Sequence, residues 1–168
     1  LKFKGFNIGK SIYEENCNDI IEQIFSLAET NKCKIVYPID IAVGKNLNDT
    51  SIFKNPDKIE NDDLILDIGP NTIDNIKTII QKSKTILWNG PAGYFENENF
   101  AKGSFEIAKK ISENTKSKNI YSVVGGGDTV AAINKFNLSK NFNFVSTAGG
   151  SFLEFLEGKE LPGIKSIN

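Results

Sequence analysis

The 168-residue chain has no histidine, no methionine and no arginine, and only two cysteines. Without histidine there is no Ser-His-Asp or Cys-His nucleophile system and no imidazole-ligated metal site. Two cysteines, Cys17 and Cys33, are too few for a disulfide framework or a thiolate zinc centre. Cys17 falls on the apolar face of a predicted helix and Cys33 just before a predicted strand. Both are expected to be buried or half-buried inert thiols in a reducing, cytoplasmic compartment. The 20 basic residues are all lysines, set against 21 acidic residues for a net charge of −1. No basic tract exists for a nucleic acid to follow. No apolar run approaches the ~18 residues that span a membrane, and no charged leader precedes an apolar segment at the start. A chain that opens on Leu1 and contains no Met reads as a fragment of a longer protein. At this length one domain over residues 1–168, with one core, is expected.

What the chain does have is one conspicuous turn, Ser122-Val123-Val124-Gly125-Gly126-Gly127-Asp128-Thr129-Val130-Ala131-Ala132. A β-branched apolar run ends in three glycines, and an alanine-rich helix start follows. Such a turn presents bare backbone N–H groups at the positive end of a helix, where no Cβ blocks an approaching phosphate. Asp128 stands where it can cap the helix or hold the Mg²⁺ that accompanies a nucleotide. The turn is neither the dinucleotide G-x-G-x-x-G nor the G-x-x-x-x-G-K-[ST] phosphate loop. By itself it fits a structural connection as well as a phosphate cradle.

In chain order, Leu1 to Lys10 reads as a lead-in loop. Ser11 and Glu14 form a capping-box pattern, and Cys17, Ile20, Ile21, Ile24, Leu27 and Ala28 recur at helical spacing, predicting an amphipathic helix over 12–30. Residues 34–38 predict a short strand stopped by Pro38, and the Asn- and Lys-rich stretch 40–63 reads as mostly surface loop with room for one edge strand. Leu64 to Ile68 is a strand. A helix capped by Thr72 or Asn71 follows, with Ile73, Ile76, Ile79 and Ile80 on one face. Residues 85–88 are a strand that ends the core at Trp88, and 98–114 are a helix. The strand 120–124 feeds a helix from Asp128 to about Phe136. The last strand, 142–146, leads through Thr147, Ala148, Gly149 and Gly150 into a helix carrying Phe152, Leu153 and Leu156.

Strand and helix thus alternate, and several strands are continuous apolar runs. Such strands are covered on both faces, which predicts an α/β fold: a three-layer, doubly wound, mostly parallel, Rossmann-like sheet with helices on both faces. Open sheets of this kind bind ligands beyond the carboxyl ends of their strands. Four strand ends here are glycine-rich: Gly69-Pro70, Asn89-Gly90-Pro91, Gly125 to Asp128, and Ser146 to Gly150. Their coincidence points to a shared crevice for an anionic ligand.

Three segments carry a family resemblance. Ile86 to Glu96 (ILWNGPAGYFE), Val124 to Thr129 (VGGGDT), and Ser146 to Gly150 (STAGG) with Leu153 to Lys159 (LEFLEGK) closely resemble phosphoglycerate kinases, in that family's order and spacing. The likeness runs from the first helix through Ile164 and covers most of the nucleotide-binding C-terminal lobe. It implies phosphoryl transfer between 1,3-bisphosphoglycerate and ADP, giving 3-phosphoglycerate and ATP, with Mg²⁺. It implies that Asp128 meets the metal and that Gly125, Gly126, Gly127, Asp128 and Thr129 lie by the nucleotide phosphates. Glu96 would bond the ribose, while Leu66, Asn89, Pro91 and Tyr94 border the adenosine. Gly149 and Gly150 would open the helix whose N–H groups receive the transferred phosphoryl group, the catalytic role.

The phosphoglycerate itself would be held mainly by the N-terminal lobe, which is absent here, as is the lysine-bearing phosphate segment that begins the C-terminal lobe. The full-length protein is expected to be a cytoplasmic monomer that touches neither nucleic acid nor membrane. Two departures stand out: Ala148 replaces a usual glycine, and Ser151-Phe152 replaces a smaller pair. The alternative from another class is a stand-alone nucleotide- or phosphate-binding module without catalysis. A third reading is a structural α/β domain whose glycine turns are only turns.

Overall fold

The computed structural model describes residues 1–117, 119–146 and 148–167. Its elements are α1 (Asn18–Thr30), β1 (Ile41–Gly44), β2 (Ile52–Lys54), β3 (Leu64–Ile68), α2 (Pro70–Lys82), β4 (Thr85–Asn89), α3 (Lys102–Lys116), β5 (Tyr121–Gly125), α4 (Gly127–Lys135), β6 (Phe144–Val145), α5 (Gly150–Leu156) and α6 (Pro162–Lys165). The α/β class and the parallel sheet stand as expected. The parallel sheet comprises β4-β5-β6, with Trp88 opposite Val124 and Asn89 opposite Gly125. Its neighbours α2 and α3 supply Ile73, Ile80, Ile107 and Ile111 to the main core, where they meet Trp88, Val124 and Ile133. Trp88 is buried, and its indole N–H donates to the Gly90 carbonyl at 2.8 Å.

The strand at 64–68 does not belong to that sheet. It pairs antiparallel with β1, which also pairs antiparallel with β2. The polar stretch 40–63, read as mostly loop, therefore holds two strands and a 3-10 turn at Pro56–Lys58. Its polarity misled because charge is built into the hairpin. Asp63 is fully buried and accepts from Lys45 Nζ at 2.9 Å, Lys54 Nζ at 2.8 Å and the Glu60 N–H at 2.7 Å. Burial pushes its pKa up, but the two ammonium groups outweigh it and hold the carboxyl at about 2. Glu60, Asp62 and Asp63 converge as a metal centre would, yet Lys45 binds all three and Lys54 binds Glu60 and Asp63. Two lysines already neutralise that cluster.

Residues 34–38 form no strand, because a strand exists only where a neighbour completes its ladder. The first helix starts at Asn18, not at 12, and the expected capping box is absent. Ser11 instead accepts from the Ile65 N–H at 2.8 Å, and Cys17 takes the N-cap position. Cys17 is half-buried, but Cys33 is exposed, contrary to its sequence reading. The apolar stripe of α1 is real, yet Ile20, Ile24 and Leu27 are 59%, 51% and 62% exposed. Among the described residues no helix is long and apolar enough to cross a membrane.

The second helix starts at Pro70 with Gly69 as N-cap, two to three residues before the cap expected at Asn71 or Thr72. Its side-chain cap comes from 31 and 32 residues upstream of the N–H groups it serves. Asp40 accepts from the Asn71 N–H at 2.9 Å and the Thr72 N–H at 2.7 Å, and the Thr72 hydroxyl adds a bond at 2.6 Å. A carboxylate there satisfies orphan donors and meets the positive helix end. Burial raises the Asp40 pKa, and these hydrogen bonds outweigh it, leaving the group below its ordinary value.

Candidate functional site

Three of the four glycine-rich strand ends lie side by side, at the carboxyl ends of β4, β5 and β6. The fourth, after β3, is not part of the parallel sheet, although β3 touches the site through its backbone: the Tyr94 N–H donates to the Leu66 carbonyl at 2.7 Å.

The middle turn folds as its residue types require. Gly126 is the N-cap of α4 with φ 86° and ψ 139°, a left-handed backbone that a side chain would strain. Space is short there as well, since a Cβ on Gly126 would sit 2.6 Å from Asn89 Oδ1. The first intrahelical bond runs from the Val130 N–H to the Gly126 carbonyl at 3.0 Å. The N–H groups of Gly127, Asp128 and Thr129 therefore precede the intrahelical ladder, as the first donors of any helix do. Gly127 and Asp128 are exposed.

Asp128 occupies the first turn of the helix, not the cap. Among the described residues its carboxylate makes no hydrogen bond or ion pair, so of the two sequence readings the cap is excluded. An exposed carboxylate at a helix start, with no ammonium partner among the described residues, is a hard oxygen donor suited to Mg²⁺. Thr129 is different. Its side chain is fully buried, and its hydroxyl accepts from the Gly90 N–H at 2.6 Å. The Thr129 side chain thus ties the β4 turn to α4, and only its backbone faces the N-terminal end of the helix.

The β4 turn brings the remaining residues together. Leu66, Pro91, Gly93 and Tyr94 line one groove of about 320 Å³. Asn89 does not line it; this side chain stands over the glycine turn of β5. Glu96 lies in an adjoining polar hollow with Tyr94, Asn48 and Asn97, and it is exposed. Its backbone is fixed by Lys135 of α4, whose ammonium donates to the Phe95 and Glu96 carbonyls at 2.8 and 2.9 Å. The carboxylate itself is bound to nothing among the described residues. A larger cavity of about 630 Å³ opens between the lead-in and the start of α1, lined by Phe3, Tyr13 and Cys17, away from the strand ends.

At the third strand end Gly149 takes φ 55° as the N-cap of the short α5, and Gly150 is its first residue. Thr147 lies outside the described residues. The Ala148 N–H donates to Ser146 Oγ at 3.3 Å. The unusual Phe152 lays its ring against Gly125: a Cβ there would fall 2.4 Å from Phe152 Cδ1.

Sequence reasoning missed Asp67. It is buried in the floor of the groove and accepts from the Gly103 N–H at 2.7 Å and the Ile68 N–H at 2.8 Å. The available signal was one carboxylate inside an otherwise apolar strand, LILDI. Burial pushes its pKa up to about 6, against the two hydrogen bonds that lower it. The native state therefore binds a proton between about pH 4 and pH 6 that the unfolded chain has released. Stability is greatest below about pH 4 for this group and is lost as pH rises through 6. The loss amounts to about 3 kcal/mol for a two-unit shift. No histidine titrates in the same range. Urea midpoints of the wild type should fall from pH 4.5 to pH 7, and Asp67→Asn should flatten that slope. Equal slopes would mean that Asp67 is ionised throughout.

The fold is that of an α/β protein in which glycine-rich turns follow the parallel strands, one of them opening the helix α4. The profile of the phosphoglycerate kinase family matches residues 1–159. The chain is 43% identical to the phosphoglycerate kinases of Wolbachia pipientis and Zymomonas mobilis, over 99% of its own length and 42% and 43% of theirs. Among solved structures, the phosphoglycerate kinase of Coxiella burnetii matches with a TM-score of 0.90 at 42% identity. That match covers 98% of this chain and 42% of the other. The Pyrococcus horikoshii enzyme matches with a TM-score of 0.71 at 28% identity, covering 98% of this chain and 41% of the other. The chain belongs to the phosphoglycerate kinase family. It spans about two fifths of the length of these relatives.

Proposed function

We propose that the full-length protein transfers a phosphoryl group between 1,3-bisphosphoglycerate and ADP, giving 3-phosphoglycerate and ATP, as a cytoplasmic monomer. This chain supplies the half of the site that holds the Mg-nucleotide. The observation that carries the reading is the first turn of α4 at the end of β5, where among the described residues the exposed Asp128 carboxylate makes no hydrogen bond or ion pair.

In this reading the N–H groups of Gly127, Asp128 and Thr129 bind nucleotide phosphate, and Gly125 and Gly126 keep side chains out of its path. Asp128 holds the Mg²⁺, which when bound neutralises charge on the phosphate oxygens. Leu66, Pro91 and Tyr94 form the walls for the adenine and its sugar, and Asn89 borders them from the phosphate side. Glu96 accepts from the ribose hydroxyls. Gly149 and Gly150 offer backbone donors to the phosphoryl group in flight. Little covalent help is asked of the protein, because phosphoryl transfer depends on positioned donors and on compensation of charge. The phosphoglycerate is held mainly by the other lobe of the full-length protein.

The test is made on the full-length protein, which should form ATP from ADP and 1,3-bisphosphoglycerate in a coupled assay. Glu96→Ala should weaken nucleotide binding by roughly 1–3 kcal/mol, the value of hydrogen bonds to a charged group. A 2′-deoxy nucleotide should lose little further affinity in that variant. Fully additive losses would remove Glu96 from the ribose, and absence of ATP formation by the wild type would overturn the function.

A further inference from the structure

The turn that forms one wall of the groove, Pro91 to Tyr94, is neither helix nor strand, yet its backbone is closely tied. The Ala92 and Gly93 N–H groups both donate to Ser104 Oγ, at 2.9 and 3.3 Å, and the next N–H, of Tyr94, donates to Leu66 in β3. Three consecutive donors thus turn inward, two of them onto a single hydroxyl. Ser104 lies in the first turn of α3 and is 0% exposed.

Asp67 fixes the backbone immediately before Ser104. Its carboxylate accepts from the Gly103 N–H, one residue before Ser104, and so caps α3 from a strand 36 residues upstream. The approach is possible only because glycine stands on both sides. A Cβ on Gly103 would fall 2.2 Å from Asp67 Oδ1, and one on Gly93 2.4 Å from the same atom. Gly93 therefore belongs at once to the groove wall and to the shell around the buried carboxylate. Without the Ser104 oxygen, the Ala92 and Gly93 N–H groups would be left without their partner in a part-buried setting, which a backbone relieves by moving toward water. Pro91 and Tyr94 would move with it, and both line the groove.

We propose that Ser104 is a positioning residue for the ligand groove: its hydroxyl, seated by Asp67, sets the conformation of the Pro91–Tyr94 turn. The consequence for affinity rests on the nucleotide reading above; the consequence for the turn does not. The effect falls on binding and spares the chemical step, since among the described residues the Ser104 hydroxyl bonds the Ala92 and Gly93 N–H groups and neither the α4 turn nor Asp128.

The experiment uses the full-length protein with Ser104→Ala, Ser104→Thr and, as a control, Thr115→Val. Thr115 is another buried hydroxyl of α3, bonded to Ser122 Oγ at 2.8 Å, remote from the groove lining. In Ser104→Ala, amide hydrogen exchange at Ala92 and Gly93 should speed up about tenfold, the loss of roughly one hydrogen bond, with Trp88 and Asn89 unchanged. The KM for ADP should rise about tenfold with kcat within about twofold, and Ser104→Thr should restore both readouts toward wild type. Thr115→Val should lower the melting temperature and leave both at wild-type values. Unchanged exchange at Ala92 and Gly93 in a folded Ser104→Ala protein would overturn the proposal, as would an equal response in Thr115→Val. If the wild type binds no adenine nucleotide, the functional reading fails by itself, and exchange at Ala92 and Gly93 still decides whether Ser104 sets the turn.

Discussion

Asp128→Ala in the full-length protein is expected to lower turnover with Mg-ADP by about two to three orders of magnitude. The loss corresponds to roughly 3–4 kcal/mol, the range seen when one charge-stabilising group is removed from a transition state. Binding of adenosine, which lacks the phosphates and needs no metal, should hardly change. The fold should be spared as well. The side chain is exposed and makes no hydrogen bond among the described residues, so the variant gives up only an anion near a helix N-terminus, worth about 0.3–1 kcal/mol. Kinetics across a Mg²⁺ titration, with calorimetry on adenosine, separate the two effects. If the metal dependence of turnover matched that of the wild type, Asp128 would have no place in the phosphate site.

The second large effect concerns the 168-residue segment expressed by itself, which is expected to form no ATP. Holding two reactants in line accounts for roughly 7–11 kcal/mol of barrier in favourable cases. The family resemblance places the phosphoglycerate on the other lobe, through basic residues, and this segment contains no arginine to replace that clamp. The α4 turn and the groove beside Tyr94 remain, so weak binding of Mg-ADP is the most that should survive. A coupled assay with ADP and 1,3-bisphosphoglycerate, run beside Mg-ADP calorimetry, measures both. Turnover close to that of the full-length protein would place the whole of catalysis within these residues.

The site was legible in the chain to different depths. The glycine turn was readable because its demands are local: a left-handed backbone at Gly126 and free donors at a helix start depend on about six consecutive residues. The parallel β4-β5 pair was readable for a similar reason, since two apolar runs flank a helix long enough for one crossover. The part played by the Thr129 side chain was not readable. Gly127 and Asp128 before it are exposed, but its own hydroxyl reaches a backbone N–H 39 residues away. Cys33 and the stripe of α1 show the same limit from the other side. Periodicity identifies an apolar face, and nothing in periodicity says what covers it.

By itself the sequence determined the family motifs, the alternation of strand and helix and the position of the strand-end turns, all of which follow from short windows of φ preference, capping and hydrophobic period. The tertiary structure alone decided which strands pair, and so placed β3 in an antiparallel sheet with the polar hairpin whose Lys45 and Lys54 hold Asp63. It also decided which buried polar groups meet: Asp40 with the start of α2, Asp67 with the start of α3, and Ser104 with the wall of the groove. These contacts join residues separated by 12 to 36 positions. A helix start leaves donors unsatisfied wherever it occurs, but which distant carboxylate satisfies them is settled only when packing brings one within about 3 Å in a place where water is excluded.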